Sequence, residues 1–289
     1  DEMIAMPGMI EKLPHYGKYS YLSFTGSEPT NDVKGVWSSP DSPMQWVKDG
    51  SDFSIDPATL PTQKTLTNLP PKYLPDRLSR HVNELTDEEM QGRGIGTSGI
   101  GKAADYITEQ FRSAGLEPIN GSYQQKWVQS VLGSEKIELT NVVGIIRGVN
   151  EDIEANPVII GAHYDHIGVD ENGILYPGAD DNASGISILI EVAPKLSRAY
   201  TPQRPIIFVA FSGEESGMLG SQHFIDNPLE GFASEDYFAM INLDAVGRLE
   251  GKTLQIFGTE SAYEWPFIAQ GIGFTIGVQA EFLAETIAS

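Results

Sequence analysis

Four short apolar runs, Val143–Ile146, Val158–Ile160, Ile206–Phe211 and Phe238–Ile241, constrain this chain more than any other feature. They are rich in β-branched and aromatic residues, and three of them lack the polar alternation of a strand with one wet face. Strands of that kind need cover on both sides, which places them inside a sheet flanked by helices. Helical periodicity duly lies around them. Ile186, Leu189, Ile190, Ala193 and Leu196 repeat at helical spacing between the second and third runs. Ala103, Ile107 and Phe111 do the same over Lys102–Leu116, where Gly115 provides the stop. Strand–helix–strand order with covered strands predicts an α/β fold, a mostly parallel or mixed central sheet flanked by helices. Ligands bind such sheets beyond the carboxyl ends of the strands.

Residues 1–75 differ from this pattern. Gly, Pro, Ser and Asp break up short aromatic pieces such as Tyr19–Phe24, which alternates like a half-buried strand. The proline-rich segment Leu69–Pro75 reads as extended chain and marks a boundary. The expected organisation is an irregular extension or linker over 1–75 and a main domain over 76–289. At 289 residues and 40% hydrophobic composition, the chain has ample material for a core. Its formal net charge of −21 argues against nucleic acid or an anionic membrane surface as a partner. No apolar run is long enough to span a bilayer. No basic and apolar leader follows Asp1, so no signal peptide is expected within the chain. With no cysteine, any metal must rest on His and carboxylate, and a secreted or periplasmic location is the expectation.

Four segments put imidazole or carboxylate groups at strand or helix junctions: Gly161–His166, Gly178–Asn182, Gly213–Ser216 and Asn242–Asp244. His163 and Asp165 are two apart, so in extended chain they share a face, with the acid able to orient the imidazole. His166 points the other way in that geometry and ranks below His163, as an outer or substrate-facing group. Asp180 and Asp181 precede the 186–196 helix, where one carboxylate can serve as an N-cap. Two adjacent acids repel, however, and a nearby cation relieves them. Glu214 and Glu215 diverge as they leave a strand, so one can bind a metal while the other handles protons. Asp244 after an apolar strand needs a partner to offset its burial. Several loops supplying hard or borderline ligands, plus one free carboxylate, is the requirement of a metal hydrolase.

Two glycine-rich runs are discounted. Gly94–Gly99 spells a dinucleotide fingerprint but follows the polar stretch Asn83–Gln91 instead of a strand. Gly96–Lys102 approaches a phosphate loop, yet Ala103 stands where a magnesium-binding hydroxyl belongs. Both read as one flexible turn leading into a helix.

Taken together, the segments resemble the M28 family of zinc peptidases over roughly residues 76–289. The resemblance implies a zinc aminopeptidase-like sandwich and hydrolysis of N-terminal residues from peptides. It implies that His163 and Asp244 bind one zinc, that Asp181 bridges two, and that Glu215 binds the second. Asp165 would support His163, and Glu214 would be the general base. One departure stands out. The family's fifth ligand is a late histidine on the Glu215 metal, whereas the histidines here are His15, His81, His163, His166 and His223. None follows Asp244, so the expectation is a C-terminally incomplete domain that holds one zinc or none where the complete domain holds two. Rival readings are a carboxypeptidase or dipeptidase on the same fold, or a peptidase-like binding domain without catalysis. A glutaminyl cyclase fits less well, because that branch uses one zinc and leaves His163 unnecessary.

Overall fold

The structure, a computed structural model, describes residues 21–25, 30–35, 74–131, 136–150, 156–249, 251 and 253–283. The chain divides into two units, Asp1–Thr65 and Leu66–Ser289. The first contains an antiparallel strand pair, β1 (Tyr21–Thr25) and β2 (Thr30–Gly35), with a register irregularity between Ser23 and Phe24. Tyr19 and Ser20, and residues 69–73 of the proline-rich segment, lie outside the described residues.

The first described element of the second unit is α1 (Pro75–Leu85). Pro75 therefore belongs to a helix, correcting the reading of 69–75 as extended throughout. A proline is tolerated at the first helical position because its missing N–H has no intrahelical partner there. Next comes α2 (Ser98–Ala114), which starts about one turn before its apolar periodicity. The Thr97 hydroxyl accepts from Ile100 N and caps it. Gly99 also lies so close to Met90 that a Cβ would sit 2.0 Å from its carbonyl oxygen. The glycine-rich run is thus a capped helix start packed against the preceding segment, and Gly115, at φ 81°, closes the helix.

The chain continues as β3 (Gln124–Ser130), β4 (Lys136–Ile146), β5 (Val158–His163), β6 (Gly168–Val169), β7 (Leu175–Tyr176), α3 (Gly185–Ala199) and β8 (Ile206–Phe211). It then forms α4 (Leu219–Asp226), β9 (Ala239–Asn242), β10 (Leu254–Phe257), α5 (Trp265–Ile276) and β11 (Ala280–Leu283). Among the described residues, five strands make the central sheet in the order β3-β4-β8-β5-β9. The β3, β4 and β8 strands pair antiparallel, while β8, β5 and β9 run parallel. The sheet is mixed, and β3 escaped the sequence reading because Gln-Gln-Lys-Trp-Val-Gln-Ser carries too little apolar signal for a strand. Small pairs β6-β7 and β10-β11 lie outside this sheet.

The core sits on both faces of β8, whose six residues are all buried. Ile206, Phe208 and Ala210 join the cluster under α1, α2 and α3, and Phe208 meets Phe111 edge-on at 6.2 Å. Ile207, Val209 and Phe211 face the cluster that includes Phe224 of α4. That two-sided burial is why the run shows no alternation. The apolar run at β9 behaves otherwise: Met240 and Ile241 are exposed, and among the described residues β9 is the edge strand, paired with β5. The helices are tied by polar groups as well, with the buried Glu191 of α3 accepting from Arg77 at 3.0 Å and lying 3.0 Å from His81 Nε2. Replacing Phe208 with Ala removes a side chain packed on every side and is expected to cost about 3–5 kcal/mol. Denaturant unfolding measures this, and a loss under about 1 kcal/mol would contradict the central position given to β8.

Candidate metal centre

Register brings the first donors together. Residue by residue, β5 pairs in parallel with β9 from Val158↔Ala239 to Gly161↔Asn242, and Leu243 N donates to Gly161 O at 2.8 Å. Continued by two residues, that register sets Asp244 beside His163, the last residue of β5. The measured distance agrees, with His163 Nε2 3.3 Å from Asp244 Oδ1. Asp181 arrives from another direction, on the wide helical turn Ala179–Ser184 ahead of α3, and its Oδ1 is 3.1 Å from the same nitrogen. The N-cap position of α3 is Ser184, so neither Asp180 nor Asp181 caps the helix.

A second group adjoins the first. His166 Nδ1 lies 2.7 Å from Glu215 Oε1 and 4.0 Å from Asp181 Oδ2. Asp181 thus turns one carboxylate oxygen to each group. Among the described residues, His163–Asp181–Asp244 and His166–Asp181–Glu215 each bring three donor atoms within 4.8 Å of one another. Ligands about 2.0–2.2 Å from a tetrahedral zinc stand roughly 3.4 Å apart. The His163 group, with its 3.1 and 3.3 Å separations and its mix of imidazole and carboxylate, fits that ion. Glu214 belongs to neither group; its Oε2 lies 4.0 Å from His163 Nδ1.

The position of His166 corrects the extended-chain reading. β5 ends at His163, so the two-residue alternation stops there and the chain turns His166 back toward the same carboxylates.

Neighbouring groups hold the donors in place. Asp165 is fully buried, and its two carboxylate oxygens accept from Glu214 N at 3.1 Å and Glu215 N at 3.2 Å. It approaches His163 less closely: Nδ1 is 3.2 Å from the Asp165 carbonyl and 3.8 Å from its carboxylate. Its carboxylate therefore anchors the Glu214–Glu215 turn as well as facing the imidazole. Asn182, also buried, donates to Leu243 O and accepts from Gly185 N, both at 2.9 Å, and so locks the Asp181 turn to the segment carrying Asp244. Asp180 accepts from Gly247 N at 2.8 Å, which makes it a loop anchor distinct from its neighbour.

Arg93 lies in the segment Gly92–Thr97, which is part of the family resemblance but carries no assigned role in the sequence; in the structure it ties three segments of this edge together. Its fully buried guanidinium donates to four backbone carbonyls at 2.6–2.7 Å: Leu85, Tyr164, Pro177 and Gly178. These belong to the end of α1, the segment after β5 and the approach to Asp181. An isolated arginine after a glycine carries no periodic signal, so only the tertiary contacts reveal it. Burial lowers the Arg93 pKa to about 10, while the Asp165 and Asp181 charges oppose the shift. For His163 the balance is reversed. Burial lowers its pKa, but hydrogen bonds and charges from Asp165 and Asp244 outweigh that and push it up to about 10. Burial raises the Glu215 pKa, His166 pulls against it, and Asp181 and Glu214 add to the rise. The edge is a field that favours positive charge.

A cleft of about 420 Å³ borders Tyr164 and Ser212, but none of these carboxylates lines it. The donor set, more than a cavity, marks the site. His223, the remaining imidazole on this side of the sequence, stacks on Trp127 at 4.2 Å and belongs to neither donor group.

A mixed sheet flanked by helices is a fold shared with solved zinc exopeptidases and glutaminyl cyclases. The fold matches the crystal structure of Tannerella forsythia glutaminyl cyclase with a TM-score of 0.55 at 24% identity, covering 75% of this chain and 79% of that one. Residues 141–278 match Peptidase family M28. A probable zinc metalloprotease of Pyrenophora teres f. teres is 33% identical over 61% of this chain and 38% of its own length. Aminopeptidase YwaD of Bacillus subtilis is 32% identical over 46% of this chain and 29% of its own length. The chain is thus similar to peptidase family M28 over residues 141–278. It spans 38% to 41% of the length of the first curated relatives it matches.

Arg93→Met would leave four carbonyls without their buried donor. The expected loss is about 3–5 kcal/mol in denaturant unfolding, with weaker metal binding in the same protein. Unchanged stability and unchanged metal binding would show that the guanidinium does not hold this edge together.

Proposed function

We propose that this chain carries the catalytic centre of a zinc-dependent aminopeptidase, releasing N-terminal residues from peptides. The observation that carries the reading is Asp181, which offers one oxygen to each of two donor groups while Glu214 stays beside both and inside neither. In this reading His163, Asp181 and Asp244 hold one zinc, and Asp181 and Glu215 contribute to a second. Zinc held there supplies a Lewis acid for the scissile carbonyl and lowers the pKa of water toward neutrality.

The side chains do the rest. Glu214 takes a proton from the attacking water and delivers it to the leaving amine. Asp165 keeps Glu214 in reach by accepting from its backbone N–H, and it faces the imidazole of His163 to hold the ring in place. The aminopeptidase relative supports exopeptidase chemistry, and the zinc metalloprotease relatives support the metal.

The structural likeness to a glutaminyl cyclase raises a second reading. A single-zinc cyclase leaves the close pairing of His163 with Asp181 and Asp244 without a task, so the peptidase reading accounts for more of the site. Assaying the intact protein on N-terminal aminoacyl substrates and on N-terminal glutaminyl peptides separates the two. Glu214→Gln is expected to keep its zinc while turnover falls by about 10²–10⁴. Near-full activity, or loss of the metal, would show that Glu214 is not the base.

A further inference from the structure

We propose that the His166 group is a metal site in its own right, with His166 a ligand alongside Asp181 and Glu215. This rests on the zinc reading above and goes beyond it, because the family resemblance assigns no role to His166 and leaves the Glu215 metal dependent on a late histidine.

Three observations carry it. First, the donor atoms have the right spread. The His166 nitrogen stands 2.7 Å from Glu215 and 4.0 Å from Asp181, which brackets the roughly 3.4 Å separation of tetrahedral zinc ligands. Second, the ring is built in. Only 11% of its side chain is exposed, and its backbone N–H donates to Arg93 O at 3.3 Å, tying it to the same arginine that shapes the Asp181 approach. Third, the opposing loop is cut to admit the ring. Gly178 has φ +58°, and a Cβ there would lie 2.5 Å from His166 Cδ2 and 2.4 Å from Asp181 O. A side chain at 178 would displace the imidazole, the Asp181 backbone or the Arg93 guanidinium, whose Nη2 would lie 2.6 Å away. His163 and His166 therefore serve neighbouring sites from one short segment, separated by the carboxylate of Asp181.

A plain hydrogen bond between His166 and Glu215 is the competing explanation, and metal binding distinguishes them. Zinc equivalents in the intact protein are counted after dialysis against a weak chelator, and a Co²⁺ titration is followed by visible absorption. The wild type is expected to retain two equivalents. His166→Ala is expected to lose one, weakening that site by more than the 10–100-fold that loss of an outer hydrogen bond costs. His166→Gln, which can still donate to Glu215 but is a poor zinc ligand, is expected to behave the same way and guards against misfolding of the alanine variant. Asp244→Asn should weaken the other site, and His223→Ala should retain both. Two tightly held equivalents in His166→Ala or His166→Gln would overturn the His166 assignment while leaving the zinc reading standing. A wild type with one equivalent, sensitive to Asp244→Asn and indifferent to His166, would do the same. A wild type that binds no metal would overturn the zinc reading itself.

Discussion

Mutual repulsion among carboxylates is the constraint around which this domain is organised. Asp165, Asp181, Glu214, Glu215 and Asp244 meet at one edge of a sheet, in a protein that already carries a formal net charge of −21. Gathering like charges in a partly buried region is unfavourable unless donors or cations are fixed nearby. Here the fixed positive groups are the buried Arg93 guanidinium and the backbone N–H groups of Glu214 and Glu215 aimed at Asp165. The imidazoles of His163 and His166 face the remaining oxygens. A divalent cation would complete the same balance, which is why the site reads as metal-binding from its electrostatics as well as from its donor types.

The sheet makes this arrangement possible at modest cost. Its parallel strands β8, β5 and β9 end at the same edge, so three separate stretches of chain deliver polar groups to one place while their apolar parts remain in the core. The burial of β8 on both faces fixes the height at which Glu214 and Glu215 emerge, and the in-register pairing of β5 with β9 brings Asp244 to His163. Asp181 has no strand of its own. It is placed by hydrogen bonds, from Asn182 to Leu243 O and from Arg93 to Gly178 O. The sheet sets the plane of the site, and these buried polar contacts set its fourth corner.

Much of this was legible beforehand because it rests on short-range pattern. The apolar runs at 143–146, 158–160 and 206–211 marked buried strands, and the periodicity around Ile186 and Ile107 marked the helices packed beside them. Residues that combine a strand end with chemistry, such as His163 and Glu214, follow from the same pattern, since a strand that stops must release its next side chains at the sheet's edge. Outside that pattern the reading was weaker. Gln124–Ser130 became an edge strand without an apolar signature, and α2 began at Ser98 because a threonine cap and the close pass of Gly99 extended it beyond its apolar stripe.

Local sequence by itself determined the fold class, the covered strands and the kinds of metal donor available, because period, composition and residue chemistry act over a few residues. Tertiary structure decided where each acid stands and what it contacts. Asp180 and Asp181 are neighbours of identical chemistry, yet one anchors Gly247 and the other stands between two imidazoles. His166 leaves a strand that has already ended, so no alternation rule points it toward Glu215. Arg93 reaches carbonyls as far away as Gly178, a relation with no trace in the surrounding residues. Each of these outcomes depends on contacts between segments distant in sequence, and such contacts exist only once the sheet has brought the segments together.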